Sequence, residues 1–352
     1  MSAFVGPFSP IFLFWPVLYD IFESIGIKKG EKYPTIMLIL VAIATLLGFP
    51  VPPYSGNSLA LIGNYAGITE NMGSKVVINS AAYLAVALIY GFVSIGVIVL
   101  FCKYVLRPDV SKLKNLDVEM LKKNPLPPLN NNQKFMAISF VLYIMTMLLP
   151  SIVPNLGIMK FLSANNYGIA LGYTALLACV SLDKENHETV LPFGKVLNGF
   201  AWGTFFLCTA AILLGSVLTN EATGISAFLN TILTPIFSSM SLVVFYVTLL
   251  VITLILTNIC NSLVVGMLMQ PVIASFCLHS GINSAPITSL IIIFVLASAS
   301  VTPSASPFAA MIHGNKEWLK SGEIYKHTLM FAVIELILVI LVGIPAASIL
   351  IH

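Results

Sequence analysis

Two clusters of proline and polar residues interrupt apolar runs of the sequence and supply most of the side chains that could bind a ligand. The first cluster follows Pro50, and the second combines the 257–262 stretch with residues around Pro303. An interrupted helix exposes N–H groups that attract anions, and its carbonyl oxygens, with Asn and Ser oxygens, suit a hard cation such as sodium. We therefore predict a site for a small anion, formed by Ser55, Asn57, Ser58, Asn261, Ser262, Thr302, Ser304 and Ser306, with Asn258 and Asn261 as ion-coupling residues. The alternative is that these side chains only cap broken helices.

One acidic residue, Glu335, lies in the middle of the apolar run 331–342. Ionisable side chains are rare in such positions and mark functional sites by default. The functional interpretation is a carboxylate that carries a coupling proton. The structural alternative is a buried Glu that hydrogen-bonds to a neighbouring helix. Glu335 is therefore a third candidate ion-coupling residue.

The composition restricts the class of protein. The chain has 352 residues, of which 58% are hydrophobic and only 9% are charged, whereas soluble domains carry about 25% charged residues. A mean hydropathy of +0.97 excludes an ordinary soluble enzyme, a nucleic-acid binder and a disordered protein. The sequence predicts an all-α polytopic membrane protein. Because no catalytic motif or cofactor-binding fingerprint is found, we expect neither an enzyme nor a bound cofactor.

The basic residues predict the orientation in the membrane. We take the stretch 107–134 as cytoplasmic and treat segments 4–27 and 224–278 as re-entrant hairpins, which enter and leave the membrane on one side. All but two of the 17 Lys and Arg residues, Lys75 and Lys160, then lie on the cytoplasmic side, as the positive-inside rule requires. The sequence thus predicts a multi-pass protein of the plasma (inner) membrane with its C-terminus outside.

The two interrupted regions match each other in spacing. Pro52 and Pro303 each precede a glycine by 11 residues, and Ser55 and Ser306 follow these prolines at the same offset. Because the predicted hairpins enter from opposite sides, the repeat is inverted. The predicted organisation is an incomplete first repeat over 1–106, a cytoplasmic linker over 107–134 and a second repeat over 135–352. Since the first repeat is much the shorter, we expect either an N-terminally incomplete chain or a partner chain that supplies the missing helices.

These segments resemble the divalent anion:sodium symporter family, within the ion-transporter superfamily of anion permeases. "TNICNSLVVGMLMQPV" resembles the tip of the family's second hairpin, "ASASVTPSASPFAAMIHG" its second helix break, and "GFPVPPYSGNSLALIG" the matching first break. The family's tips carry a Ser-Asn-Thr triplet that contacts sodium and the substrate carboxylate. This sequence has Gly6-Pro7-Phe8 and Asn261-Ser262-Leu263 instead, which weakens the expectation of the first sodium site.

The resemblance implies a secondary transporter of a small anion, a di- or tricarboxylate, that works by an elevator motion and is coupled to sodium or protons. It also implies a homodimer in a lipid bilayer. One alternative is a non-transporting remnant or subunit that needs a partner chain, and another is an arsenite or sodium/proton exchanger of the same superfamily. No nucleic-acid partner is expected.

Overall fold

The computed structural model describes residue 2 and residues 8–115, 130–153, 156–182, 189–198, 221–224 and 241–351. In this part of the chain the structure is helical, and the sole β pairing is an isolated bridge between Ser181 and Thr189. The helices are α1 (Phe8–Ser24), α2 (Lys32–Gly48), α3 (Gly56–Asn71), α4 (Ser80–Phe101), α5 (Asn131–Ile152), α6 (Gly157–Ala164), α7 (Asn166–Cys179), α8 (Phe193–Asn198), α9 (Leu242–Ile259), α10 (Ser262–His279), α11 (Ala285–Ala297), α12 (Pro307–Gly314), α13 (Ser321–Leu338) and α14 (Ile344–Leu350). The predicted all-α class is confirmed.

Among the described residues, four helical stretches are long and apolar enough to cross a membrane by length and composition. They are Ser80–Leu106, Asn131–Pro150, Leu242–Ile259 and Ser321–Leu350. Two of them contain a π-helical turn, at Cys102–Leu106 after α4 and at Val339–Gly343 between α13 and α14. Such stretches are expected of a polytopic membrane protein. The re-entrant course of segments 4–27 and 224–278 stays a prediction.

The chain divides into two compact units, the first formed by residues 1–78, 82–116 and 207–352 and the second by 79–81 and 117–206. In the second unit, α5 begins with a capping box, in which Asn130 and Gln133 satisfy each other's backbone N–H groups. Its Thr146 hydroxyl lies 3.1 Å from that of Tyr173 on α7. The candidate site residues all belong to the first unit. The predicted division of the chain into two repeats, 1–106 and 135–352, with a linker over 107–134, stays a prediction.

The first unit is built around α11. Every residue of this 13-residue helix is buried, and it packs against α2, α3, α9, α10 and α14. Its sequence is apolar on all sides, which is the pattern of a helix enclosed by protein. Of its polar side chains, Ser289 donates to the Ala285 carbonyl at 2.7 Å.

The apolar runs 285–301 and 327–351 of the sequence predict two helices whose ends the structure changes. α11 ends at Ala297 rather than at Val301, because the Val301 N–H donates to Asn258 Oδ1 instead of continuing the helix. α13 begins at Ser321, six residues before His327. Predictions for Gly6, Pro7 and residues 116–129 and 225–240 lie outside the described residues.

Candidate functional site

Both predicted helix breaks are present in the first unit. α2 ends at Gly48 and α3 begins at Gly56, so the Pro50–Pro53 segment lies between two helices. In the same way, α11 ends at Ala297 and α12 begins at Pro307. Proline lacks an N–H group and disfavours the helical conformation of the residue before it, which explains why α2 stops just before Pro50. α11 stops earlier than Pro303, where Asn258 takes over the hydrogen bonds of the Ser298 carbonyl and the Val301 N–H.

Ser55 and Ser306, which the spacing predicts to be equivalent, occupy the same structural position. Each is the N-cap residue of the half-helix after its break, with an extended backbone. The two hydroxyls have different partners. Ser306 Oγ accepts from the Ala309 N–H at 3.1 Å and donates to the Ala299 carbonyl at 2.6 Å. Ser55 Oγ is buried and has no hydrogen-bond partner among the described residues.

The turn between α9 and α10 lies directly against the second break. The two helices are joined by Cys260 and Asn261, and the first N–H of α10, on Ser262, donates to the Ala305 carbonyl at 2.9 Å. Asn261 is the N-cap of α10, and its Oδ1 accepts from the Leu263 N–H at 3.0 Å. The N-termini of α10 and α12 therefore meet at the break, which concentrates the positive ends of two helix dipoles there.

Asn258 holds this turn in place. Its side chain is 8% exposed and forms three hydrogen bonds. Nδ2 donates to the Leu254 carbonyl at 2.9 Å and to the Ser298 carbonyl at 3.1 Å, and Oδ1 accepts from the Val301 N–H at 2.9 Å. The side chain thus replaces the backbone hydrogen bonds that the break removes from α11.

The hydroxyls of Thr302 and Ser304 form an oxygen cluster with the end of α9. They lie 2.9 Å from each other, Thr302 donates to the Asn258 carbonyl, and Ser304 donates to the Ile259 carbonyl at 3.0 Å. Three successive hydrogen bonds therefore join four oxygen atoms from two chain segments, and Ser304 is exposed at the edge of the cluster.

The first break has a different hydrogen-bond arrangement. Its Pro50 carbonyl accepts from the hydroxyls of Ser58, at 3.3 Å, and Tyr83, at 3.0 Å. Ser58 is fully buried, so its hydroxyl stabilises the break. The amide of Asn57 is half-buried and forms no hydrogen bond with the described residues. Asn57 and Ser55 are thus the candidates whose polar atoms stay available to a ligand.

The two breaks contact each other. The ring centroids of Phe49, in the first break, and Phe308, in the first turn of α12, are 5.5 Å apart, with the ring planes at 63° to each other. In addition, α10 packs on α3, while Tyr19 of α1 accepts a hydrogen bond from Asn315, just after α12, at 2.8 Å. α10, which precedes α11 and the second break, therefore contacts α3 after the first break. In the same way, α1, which precedes α2 and the first break, contacts the end of α12 after the second break.

Glu335 is fully buried in α13, and neither of its carboxylate oxygens has a hydrogen-bond partner in the described part of the chain. The neighbouring Tyr90 hydroxyl, on α4, donates to the Glu335 backbone carbonyl at 3.4 Å and not to the carboxylate. The structural alternative was a buried Glu that hydrogen-bonds to a neighbouring helix. No such bond of the Glu335 carboxylate is found among the described residues. An intramembrane carboxylate without a partner is a candidate carrier of a proton or a cation.

Three polar residues of the first unit were missed by the sequence analysis. Ser300 in the second break is fully buried, and its hydroxyl has no described partner. Gln270 and Asn64 form a hydrogen bond between α10 and α3, with Asn64 Nδ2 and Gln270 Oε1 2.7 Å apart. Gln270 could have been found by the reasoning applied to Glu335, because it too is a polar residue in a long apolar run.

Together these features define a class: a polytopic α-helical membrane protein whose paired helix breaks form a polar site inside the bundle. The family profile described as the sodium:sulfate symporter transmembrane region matches residues 59–351, and the chain accordingly belongs to this family. No curated protein sequence matches the chain.

Membership in this family confirms the predicted resemblance and implies sodium-coupled movement of an anion across a lipid bilayer. The protein is a transporter and not an enzyme, and sodium is its coupling ion. The described residues contain no group of three His, Cys, Asp or Glu side chains that could hold a metal ion.

Proposed function

We propose that the protein carries a small di- or tricarboxylate, that it binds this anion between the two helix breaks, and that it releases it by an elevator-type motion of the first unit. The observation that carries the proposal is the contact of the α10 and α12 N-termini at the second break, where the Ser262 N–H meets the Ala305 carbonyl. Helix N-termini bind anions without basic side chains.

The separation of polar groups favours a carboxylate with more than one charge. The available groups at the first break, Ser55 Oγ and the Asn57 amide, belong to α3, whereas the N-termini of α10 and α12 belong to the second break. A dicarboxylate carries two negative groups at a distance from each other and can engage both breaks. Sulfate is compact and would engage one break at a time.

For the coupling ion, the proposed site is the oxygen cluster of Thr302, Ser304 and the carbonyls of Asn258 and Ile259. Sodium prefers oxygen ligands, and it would replace the hydrogen bonds that now join these atoms. Binding would thereby stiffen the turn that presents the α10 N-terminus to the anion. This arrangement gives a direct physical reason for sodium to raise the affinity for substrate.

Uptake into proteoliposomes tests the proposal. Radiolabelled succinate, citrate and sulfate are offered with an inward sodium gradient, and counterflow separates substrates from inhibitors. We expect succinate or citrate to be carried in preference to sulfate. Sulfate as the preferred substrate would overturn the carboxylate assignment, and the absence of flux from folded protein would overturn the transporter function.

The variant Thr302→Ala/Ser304→Ala tests the sodium site. Loss of two ligands at about 1.4 kcal/mol each should raise the half-saturating sodium concentration by about 100-fold. The control is Ser280→Ala, which removes an exposed hydroxyl at the other end of α10 and should leave the sodium dependence unchanged. An unaltered sodium dependence in the double variant would move the cation site elsewhere.

Proton coupling through Glu335 is a second candidate, favoured by the unpartnered carboxylate in α13. Uptake driven by a pH gradient without sodium should disappear in Glu335→Gln and persist in Glu323→Gln, which alters a half-buried acid at the start of the same helix. If Glu335→Gln keeps proton-driven uptake, the carboxylate takes no part in coupling. A sodium/proton exchanger or an arsenite transporter would show ion flux that does not depend on added succinate or citrate.

A further inference from the structure

A cavity of about 360 Å³ lies at one end of the first unit, away from the helix breaks. It is formed by residues from the start of α2, the π-helical end of α4 and the start of α13. The polar side chains that line it are those of Lys32, Thr35, Lys320, Glu323, Lys326 and His327. Three lysines and one glutamate give the cavity an excess of positive charge.

The cations around the cavity are held there by the fold. Lys32 donates from Nζ to the Leu106 carbonyl, a bond that leaves its charge uncompensated. The stem of Lys320 lies over Gly30, so that a Cβ at Gly30 would be 3.4 Å from Lys320 Cε. Glu323 is shared between Lys326, at 3.9 Å, and the ring of His327, at 3.5 Å.

Two helix N-termini add to the positive potential. α2 begins at Lys32 and α13 begins at Ser321, and neither N-cap residue, Glu31 or Lys320, accepts a hydrogen bond through its side chain from its own helix. The N–H groups of both first turns therefore lack side-chain caps. His327 is 2% exposed and uses only Nδ1, which lies 2.7 Å from the Glu323 carbonyl, so Nε2 has no described partner.

The surroundings of the cavity place it at the level of lipid headgroups. Tyr104 and Val105, which precede the lining residue Leu106, are 57% and 62% exposed. On α13, Tyr325 and Leu329 are exposed in the same way. Exposed tyrosines next to exposed aliphatic residues are typical of the membrane–water interface, where acyl chains run along the apolar faces of both helices.

We propose that this cavity binds the phosphate of an anionic phospholipid headgroup, with the acyl chains lying along the exposed faces of α4 and α13. The lysines and the two helix N-termini supply the attraction for the phosphate. A lipid bound here would join the start of α2, the end of α4 and the start of α13. The chain would therefore be more stable in the presence of anionic lipid, whatever anion it transports.

Thermal unfolding of the full-length chain in detergent tests this site. The protein is titrated with short-chain phosphatidylglycerol, with phosphatidylcholine of the same chain length, or with inorganic phosphate. We expect a saturable rise of Tm with phosphatidylglycerol, little response to phosphatidylcholine, and a much weaker effect of phosphate. Equal responses to the two lipids would overturn the proposal, and phosphate as potent as phosphatidylglycerol would show a free-anion site instead.

The variant Lys320→Gln/Lys326→Gln removes two exposed cations from the cavity. At about 1 kcal/mol for each lysine, the half-saturating concentration of phosphatidylglycerol should rise by about 30-fold, and by about 5-fold in each single variant. The control Lys28→Gln/Lys103→Gln removes the same charge from residues that do not line the cavity and should keep the parental value. If Lys320→Gln/Lys326→Gln responds to phosphatidylglycerol like the control, the proposed phospholipid site is wrong. The single variants keep the test open if the double variant is unstable.

Discussion

Asn64 of α3 and Gln270 of α10 form a side-chain hydrogen bond of 2.7 Å between the two halves of the first unit. Gln270 is fully buried, and its Nε2 also donates to the Leu61 carbonyl at 2.8 Å. An α3 carbonyl and an α3 amide are thus both satisfied by one residue of α10. The hydrogen bonds fix the register of α10 against the half-helix that begins at Ser55.

Replacement of this pair should reveal their coupling. Gln270→Leu should lower the free energy of unfolding by about 1–2 kcal/mol, because it leaves the Asn64 amide without its described partner. Asn64→Leu should cost less, since Gln270 keeps its bond to Leu61. The double variant should lose less than the sum of the single variants by about 0.6 kcal/mol or more. Strict additivity, measured by denaturant unfolding in detergent, would contradict the structure.

Gly266 allows the close approach of α10 to its neighbours. A Cβ at this position would lie 2.9 Å from Leu61 Cδ2 and 3.2 Å from Val295 Cγ1. We expect Gly266→Ala to destabilise the protein by about 1–3 kcal/mol, because both neighbours would have to move. Thermal or denaturant unfolding measures the change.

Two further variants separate crowding from helix propensity. Gly67→Ala on α3 has open space for its Cβ and should be neutral or stabilising by about 0.5–1 kcal/mol. Leu61→Ala makes room beside Gly266, so the pair of substitutions should cost less than their separate effects combined. An equal loss of stability in Gly266→Ala and Gly67→Ala would rule out a steric cause.

Asn258 should be the most sensitive polar residue of the second break. Asn258→Ala removes three hydrogen bonds and leaves the Val301 N–H and the Ser298 carbonyl without their described partners, at an expected cost of about 3 kcal/mol. Asn283→Ala is the matched control, because Asn283 is exposed and its Oδ1 accepts one bond, from the Ala285 N–H at the start of α11, so its loss should cost about 1 kcal/mol. A smaller effect at Asn258 than at Asn283 would contradict this role.

Glu31, outside the membrane-spanning helices, should make the stability of the protein depend on pH in the acidic range. Its carboxylate accepts from the Lys28 N–H at 3.0 Å and pairs with Lys112 at 3.0 Å, and these two contacts lower the pKa of Glu31 from its ordinary value of 4.5. A lowered pKa stabilises the ionised folded form above pH 4.5, and this stabilisation is lost as the pH falls through the folded-state pKa.

The unfolding free energy of the parent protein should therefore fall below pH 4.5 more steeply than that of Glu31→Gln. Lys112→Gln should remove part of the difference, because the Lys28 N–H remains. Lys75→Gln, whose lysine pairs with Glu70 at 3.1 Å, should behave like the parent. Parallel pH profiles for the parent and Glu31→Gln would show that the contact is absent in solution.

Much of the second break was predictable, because prolines and small polar residues report directly on local backbone structure. The spacing that aligns Ser55 with Ser306 predicts two residues that are both N-caps in the structure. The pairing of Asn258 with Ser298 and Val301 was not predictable. It depends on the turn after α9 meeting a segment 40 residues away, and no local pattern encodes that contact.

The sequence predicts the same ligand role for all the polar residues at the breaks, but the structure divides them into two groups. Ser58, Asn261 and Ser306 each bond to nearby backbone, which fits the capping alternative, whereas Ser55 and Asn57 keep polar atoms available. Sequence pattern places a polar residue at a break but does not determine whether its donors and acceptors are already used. That depends on the rotamer and the neighbours, and so on the packing of the unit.

The shortness of α11 has an electrical consequence. With 13 residues at 1.5 Å per residue, it is at most about 20 Å long, and α12 adds about 12 Å on the other side of the break, against a hydrocarbon thickness of about 30 Å. The break is therefore inside the membrane voltage gradient, which is worth about 2.3 kcal/mol per elementary charge for each 100 mV across its full width. A sodium ion that reaches the Thr302 and Ser304 oxygens has already crossed part of that drop, so its affinity should differ between polarised and depolarised vesicles.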